Sequence, residues 1–155
     1  MQKPSFVYVT YIQTTPENVW DALINPELVK QYWGLHKNVS DWRAGSQWEY
    51  RDYENERVDV AGKVVESDRP RRLVLTWGHP AGSECVAGSN AGEPSRVIFE
   101  IEPFMDSVRL TVTHEELGPE EIRSISQGWP AILSSMKSLL ETGKPLAMTT
   151  RRWTK

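Results

Sequence analysis

From Gly118 to Leu146 the chain writes out one long amphipathic helix, and such a helix is stable only against a broad apolar surface. Ile122, Ile125, Trp129, Ile132, Leu133, Met136, Leu139 and Leu140 recur at three-and-four spacing, which gathers them on one stripe of a 3.6-residue helix. Arg123, Ser124, Gln127, Ser134, Ser138 and Glu141 fall on the opposite, water-facing side. Glu120 and Glu121 sit where the helix dipole favours negative charge, and Gly143 with Pro145 ends the helix. Pro130 has no N–H to donate, so a kink or restart is expected near Gly128.

The surface for that helix is written upstream. Phe6 to Thr14 is β-branched and aromatic and predicts a first strand. Thr15-Pro16-Glu17 then carries the cap, first-turn proline and acid of a short helix, and Asn25-Pro26-Glu27 repeats the signal for a second. Six further strands are predicted, over Asn38–Trp42, Ser46–Tyr53, Arg57–Ser67, Arg72–Trp77, Ser95–Glu102 and Val108–Glu115. The turns between most of them are short, which calls for antiparallel pairing. The exception is the glycine- and serine-rich stretch from His79 to Pro94, too long for a hairpin turn and open to two readings, a mobile loop or a pocket rim.

With 155 residues, the chain is expected to form one domain over residues 1–155. A net charge of −3 gives no basic footprint for nucleic acid, and no apolar run is long enough to insert in a membrane. The N-terminus has no signal-peptide pattern, so a cytoplasmic location is expected. Cys85 is the only cysteine and lacks a neighbouring base. His36, His79 and His114 have no metal-ligand spacing, and neither a phosphate-cradling glycine loop nor a nucleophile elbow occurs. The expectation is no metal, no cofactor and no catalytic residue.

Seven tryptophans carry the remaining information. Each ring buries on the order of 150–250 Å², about 4–6 kcal/mol, and brings an N–H that wants a partner. Strand phase turns Trp48, Tyr50, Trp77, Phe99 and His114 toward the long helix, from which Trp129, Leu133 and Met136 look back; Trp33 ends the second short helix. These nine are the candidate ligand-binding residues. His114 has two readings, a core imidazole bonded to a carbonyl or a tyrosine, or a polar handle for a ligand.

Several phrases then carry a family resemblance: FVYVTYIQTTPENVWDAL, WRAGSQWEY, GKVVESDRPRRLVLTW, RLTVTHE and GWPAILSSMKSLLETGKPL. From about Phe6 to Leu146 the chain resembles bacterial homologues of the activator of heat-shock-protein-ninety ATPase, within the START/Bet v-like (SRPBCC) superfamily. The resemblance implies an α+β helix-grip fold, a curved antiparallel sheet of six to seven strands wrapped around the C-terminal helix, with two short helices after strand 1. It also implies a hydrophobic cavity between sheet and helix. The leading expectation is non-catalytic binding of a small hydrophobic or aromatic ligand there, by a monomer or homodimer. The alternatives are a cyclase- or aromatase-like enzyme in which His114 or a pocket carboxylate moves protons, and a chaperone-associated interaction module. The last has less support, because the eukaryotic activator works with a separate N-terminal domain.

Overall fold

The chain is described by a computed structural model over residues 4–78 and 94–151, apart from the side chains at 119 and 120. Strand β1 (Phe6–Ile12) leads into α1 (Pro16–Ile24) and α2 (Pro26–Tyr32). Then come β2 (His36–Val39), β3 (Gln47–Asp52), β4 (Val58–Asp68), β5 (Arg72–Trp77), β6 (Ser95–Phe104), β7 (Ser107–Glu115) and the long α3 (Pro119–Thr142). All neighbours pair antiparallel in one seven-stranded curled sheet ordered β1-β7-β6-β5-β4-β3-β2. This is the helix-grip fold.

Local chemistry sets the element ends. Thr15 Oγ1 accepts the Asn18 N–H at 3.2 Å and Asn25 Oδ1 the Glu27 N–H at 3.0 Å, capping α1 and α2 ahead of their first-turn prolines. Tyr32 donates to the Ala22 carbonyl at 2.7 Å and Asn38 to that of Leu23 at 2.9 Å, locking both helices to β2. At the other end Gly143 adopts φ 84°, the left-handed conformation that terminates α3.

Two expectations need correction. The second strand is His36–Val39, not Asn38–Trp42. Gly34 and Leu35 both take positive φ and turn the chain so sharply after α2 that pairing starts at His36, opposite Asp52. Ser40 Oγ accepts the Trp42 N–H and donates to the Gln47 carbonyl, so Trp42 (φ 62°) belongs to the turn. The second correction concerns α3, which runs unbroken through Pro130. The proline removes one bond to the Ser126 carbonyl without dividing the helix.

The core lies between the inner sheet face and α3. Alternate residues of β7 (Val108, Leu110, Val112, His114) and β6 (Val97, Phe99, Ile101) are buried, and Trp129, Ile132, Leu133 and Met136 of α3 meet them. The helix also clasps the sheet edge: Lys137 Nζ donates to the Tyr11 carbonyl at 2.6 Å, and Glu141 accepts the Gln13 N–H at 2.8 Å.

Candidate functional site

The nine candidate residues reach one region from five elements and the cap of α2. Trp33 is the C-cap of α2, Trp48 and Tyr50 lie on β3, Trp77 closes β5, Phe99 is on β6, His114 on β7, and Trp129, Leu133 and Met136 on α3. All nine are buried. Trp77 is the hub: its ring lies 5.3 Å from Trp48, 5.4 Å from His114, 5.5 Å from Trp129 and 5.9 Å from Trp33, the last nearly parallel at 17°. Trp33 also meets Trp129 at 5.3 Å and Tyr50 at 4.8 Å, and Phe99 stands edge-on to Trp129 at 5.8 Å.

These rings lie against one another. Two of the hollows formed by the described residues are open to solvent. One, about 350 Å³, is lined by Ser124, Gln127, Gly128, Ala131 and Met148; the other, about 310 Å³, by Gln47, Trp48, Glu49, Ala61, Gly62 and Lys63. Only Trp48 of the nine lines either of them.

His114 is fully buried, and its tautomer follows from its partners. The Trp129 indole N–H points at Nδ1 at 3.1 Å, so Nδ1 must accept. Nε2 lies 2.7 Å from Ser95 Oγ, which is 3.3 Å from the Trp77 carbonyl. The chain of donors is therefore Trp129 N–H to Nδ1, Nε2–H to Ser95, and Ser95 O–H to the Trp77 carbonyl, with a neutral imidazole in the middle. Both ring nitrogens are engaged by side chains, rather than by the carbonyl or tyrosine the sequence suggested.

A second polar constellation borders the cluster. His36 stacks on Tyr50 at 4.2 Å and 9°; its Nδ1 lies 2.9 Å from the Gly34 carbonyl and its Nε2 2.7 Å from Asp59. Arg57 Nε reaches the same carboxylate at 2.9 Å. Burial pushes the Asp59 carboxyl up, but hydrogen bonds from Arg57 and His36 outweigh it and hold it below the usual carboxylate range. Asp59 gets there by a bulge: Tyr50 pairs with Val60 and Arg51 with Val58, so Asp59 and Val60 are buried in succession.

Sequence reasoning missed Ser95, His36 and Asp59. Ser95 shares strand parity with Val97 and Phe99, a signal that was available. Asp59 gives none, because its bulge breaks the alternation. His79, Cys85 and nearly all of the 79–94 loop lie outside the described residues. Among the described residues no three His, Cys, Asp or Glu side chains gather as metal ligands, and no helix is long and apolar enough to cross a membrane.

A family model described as "Activator of Hsp90 ATPase homolog 1-like protein" matches residues 13–141. No curated protein matches. Solved structures do. CalU16 from Micromonospora echinospora is 17% identical with a TM-score of 0.72, over 94% of this chain and 78% of that one. An HSP90 activator from Plasmodium falciparum is 16% identical with a TM-score of 0.71, over 88% and 95%. The Aha1 dimer from Colwellia psychrerythraea is 18% identical with a TM-score of 0.69, over 91% and 98%. At these identities the likeness establishes the shared fold.

Proposed function

The chain belongs to the Activator of Hsp90 ATPase homolog 1-like family, and within it we propose that this member binds a small hydrophobic or aromatic ligand between the sheet and α3. The observation that carries this reading is the indole cluster itself. Four tryptophans joined through Trp77 occupy the space between sheet and helix, where aliphatic side chains would pack as well and leave fewer polar atoms to satisfy.

Entry requires side-chain movement, because the rings close over one another. Two residues suit it. Trp33 is held to the cluster by its ring faces and lies on the short cap after α2, beside left-handed Gly34 and Leu35. Met136 has three rotatable bonds and a polarisable sulfur, which adapt to a changed neighbour. A non-catalytic role is supported by His114, whose two nitrogens are both engaged by side chains and so are not poised to take a proton from a substrate. The chaperone-associated role rests only on the family description and on the activity named for the Plasmodium protein.

The test is a titration of the purified protein with apolar and aromatic compounds, following tryptophan emission and the melting temperature. Binding inside the cluster quenches or shifts the emission and raises the melting temperature by mass action. A panel of fatty acids, sterols and bicyclic aromatics that moves neither would end the reading.

A second reading concerns self-association. On edge strand β1, Val7, Val9 and Tyr11 are exposed, with Phe104 against Tyr11 at 5.2 Å, and the Colwellia relative is a dimer. We infer a homodimer through this face. Sedimentation should show a dimer in the native chain and a monomer in Val9→Glu; a native monomer at high protein concentration would dismiss it.

A further inference from the structure

Each tryptophan of the cluster's centre has an N–H to place, and the structure places two. Trp48 Nε1 donates to the Thr76 carbonyl at 2.8 Å, and Trp129 Nε1 to His114 at 3.1 Å. Trp77 is 5% exposed, yet its Nε1–H is buried with no hydrogen-bond partner. It is the hub of the cluster, so this unmatched donor sits in the middle of the proposed binding region. Buried donors are almost always paired, and an exception in a native fold calls for a reason.

Resting on the ligand-binding reading above, we propose that the ligand is a neutral, flat ring compound carrying a carbonyl or ether oxygen, which accepts the hydrogen bond of Trp77 Nε1–H. Three features of the surroundings define that class. The rings around Trp77 (Trp33, Trp48, Trp129 and His114) include no charged group, so a carboxylate or ammonium would lose its hydration without compensation. The ring of Trp33 lies nearly parallel to that of Trp77, so a flat guest that displaces the Trp33 side chain inherits a ready stacking face. Finally, folding has already stripped water from the Trp77 donor. An incoming acceptor recovers a hydrogen bond whose desolvation on the protein side is complete, while a pure hydrocarbon recovers nothing.

A matched pair of probes isolates the oxygen: 1-indanone and indane share the same bicyclic frame and differ by the carbonyl. Each is titrated into uniformly ¹⁵N-labelled native protein, following the assigned indole N–H cross-peaks, and binding constants are measured in parallel. We expect the ketone to bind about five- to tenfold more tightly, the effect of one hydrogen bond, and to move the Trp77 cross-peak downfield while indane leaves it near its free position. In Trp77→Phe, which keeps a ring and removes the donor, the two probes should bind alike. Equal affinities in the native protein would overturn the proposal and leave ligand binding standing, with the donor satisfied by water or by a neighbouring ring face. A ketone advantage that persists in Trp77→Phe, or a Trp77 cross-peak unmoved by bound ketone, would overturn it in the same way. Binding of neither probe, together with a silent titration panel, would remove the ligand-binding reading and this inference with it. The cross-peak test needs only native protein, so it stands even if Trp77→Phe fails to fold.

Discussion

Trp129 of α3 donates its indole N–H to Nδ1 of His114 at 3.1 Å, a hydrogen bond that pins the long helix to the C-terminal end of β7. Both residues are buried, so neither group can turn to water if the other is removed. His114→Leu keeps the apolar volume but strands the Trp129 donor and removes Ser95's partner. The expected cost is about 2–4 kcal/mol in urea unfolding, with Ser95→Ala costing about 1 kcal/mol. In the native protein, ¹⁵N spectra should give Nδ1 an imine-like shift and Nε2 a pyrrole-like one across neutral pH. The reverse assignment would contradict the donor chain.

A close approach between β4 and β5 gives a second prediction. A Cβ built on Gly62 would fall 2.0 Å from the Thr76 carbonyl oxygen, the same atom that accepts the Trp48 N–H. Backbone cannot yield as a flexible side chain would. Gly62→Ala should therefore push the strands apart, loosen Trp48 and destabilise the fold by about 3 kcal/mol or more, read by denaturant unfolding and a change in tryptophan emission. Gly45→Ala is the contrast: no atom lies within 4 Å of its Cβ, and the loss there comes from its φ of 92° alone.

How much of this was legible in the sequence depends on whether it was periodic. The two-residue alternation that turns Trp48 and Tyr50 inward, and the three-and-four spacing of Trp129, Leu133 and Met136, were both correctly read. The interruptions were not legible. The bulge that aims Asp59 inward violates alternation, and the left-handed pair Gly34–Leu35 moves β2 to begin at His36. Whether the space between sheet and helix is hollow or filled is also beyond periodicity, because rotamers decide how four indoles share a volume. The resemblance implies a cavity there; what the structure adds is that Trp33, Trp77 and Trp129 pack against one another in that space.

Trp33 offers a direct test of entry by displacement. Truncating it removes a ring that touches Tyr50, Trp77 and Trp129. Trp33→Ala should cost about 3–5 kcal/mol, the usual range for a buried aromatic. It should also leave an apolar space beside Trp77 of the kind that stays dry and takes up small aromatic guests. Indane should then bind more tightly than to the native chain, by calorimetry, and restore part of the lost melting temperature. A variant that is destabilised but gains no affinity would mean the core collapses into the space, and Trp33 is not the element that must move.

Asp59 sets the pH behaviour. Its carboxyl is pulled up by burial and held low overall by the hydrogen bonds of Arg57 and His36. A carboxyl whose folded value is depressed contributes stability that is complete above its unfolded pKa, about 3.9, and lost as pH falls through the folded value. The melting temperature should thus fall as pH drops from about 5 toward 3. Asp59→Asn removes the charge at nearly constant size, so it should start lower at neutral pH and decline less steeply in acid. Part of the slope must remain, because Glu56 and Glu141 are also held below the usual range, chiefly by hydrogen bonds from Lys37 and Lys137 respectively. Parallel acid limbs in the two proteins would show that the Asp59 carboxylate gains nothing from its partners, and that His36 is fixed by its stacking on Tyr50 and by the Gly34 carbonyl instead.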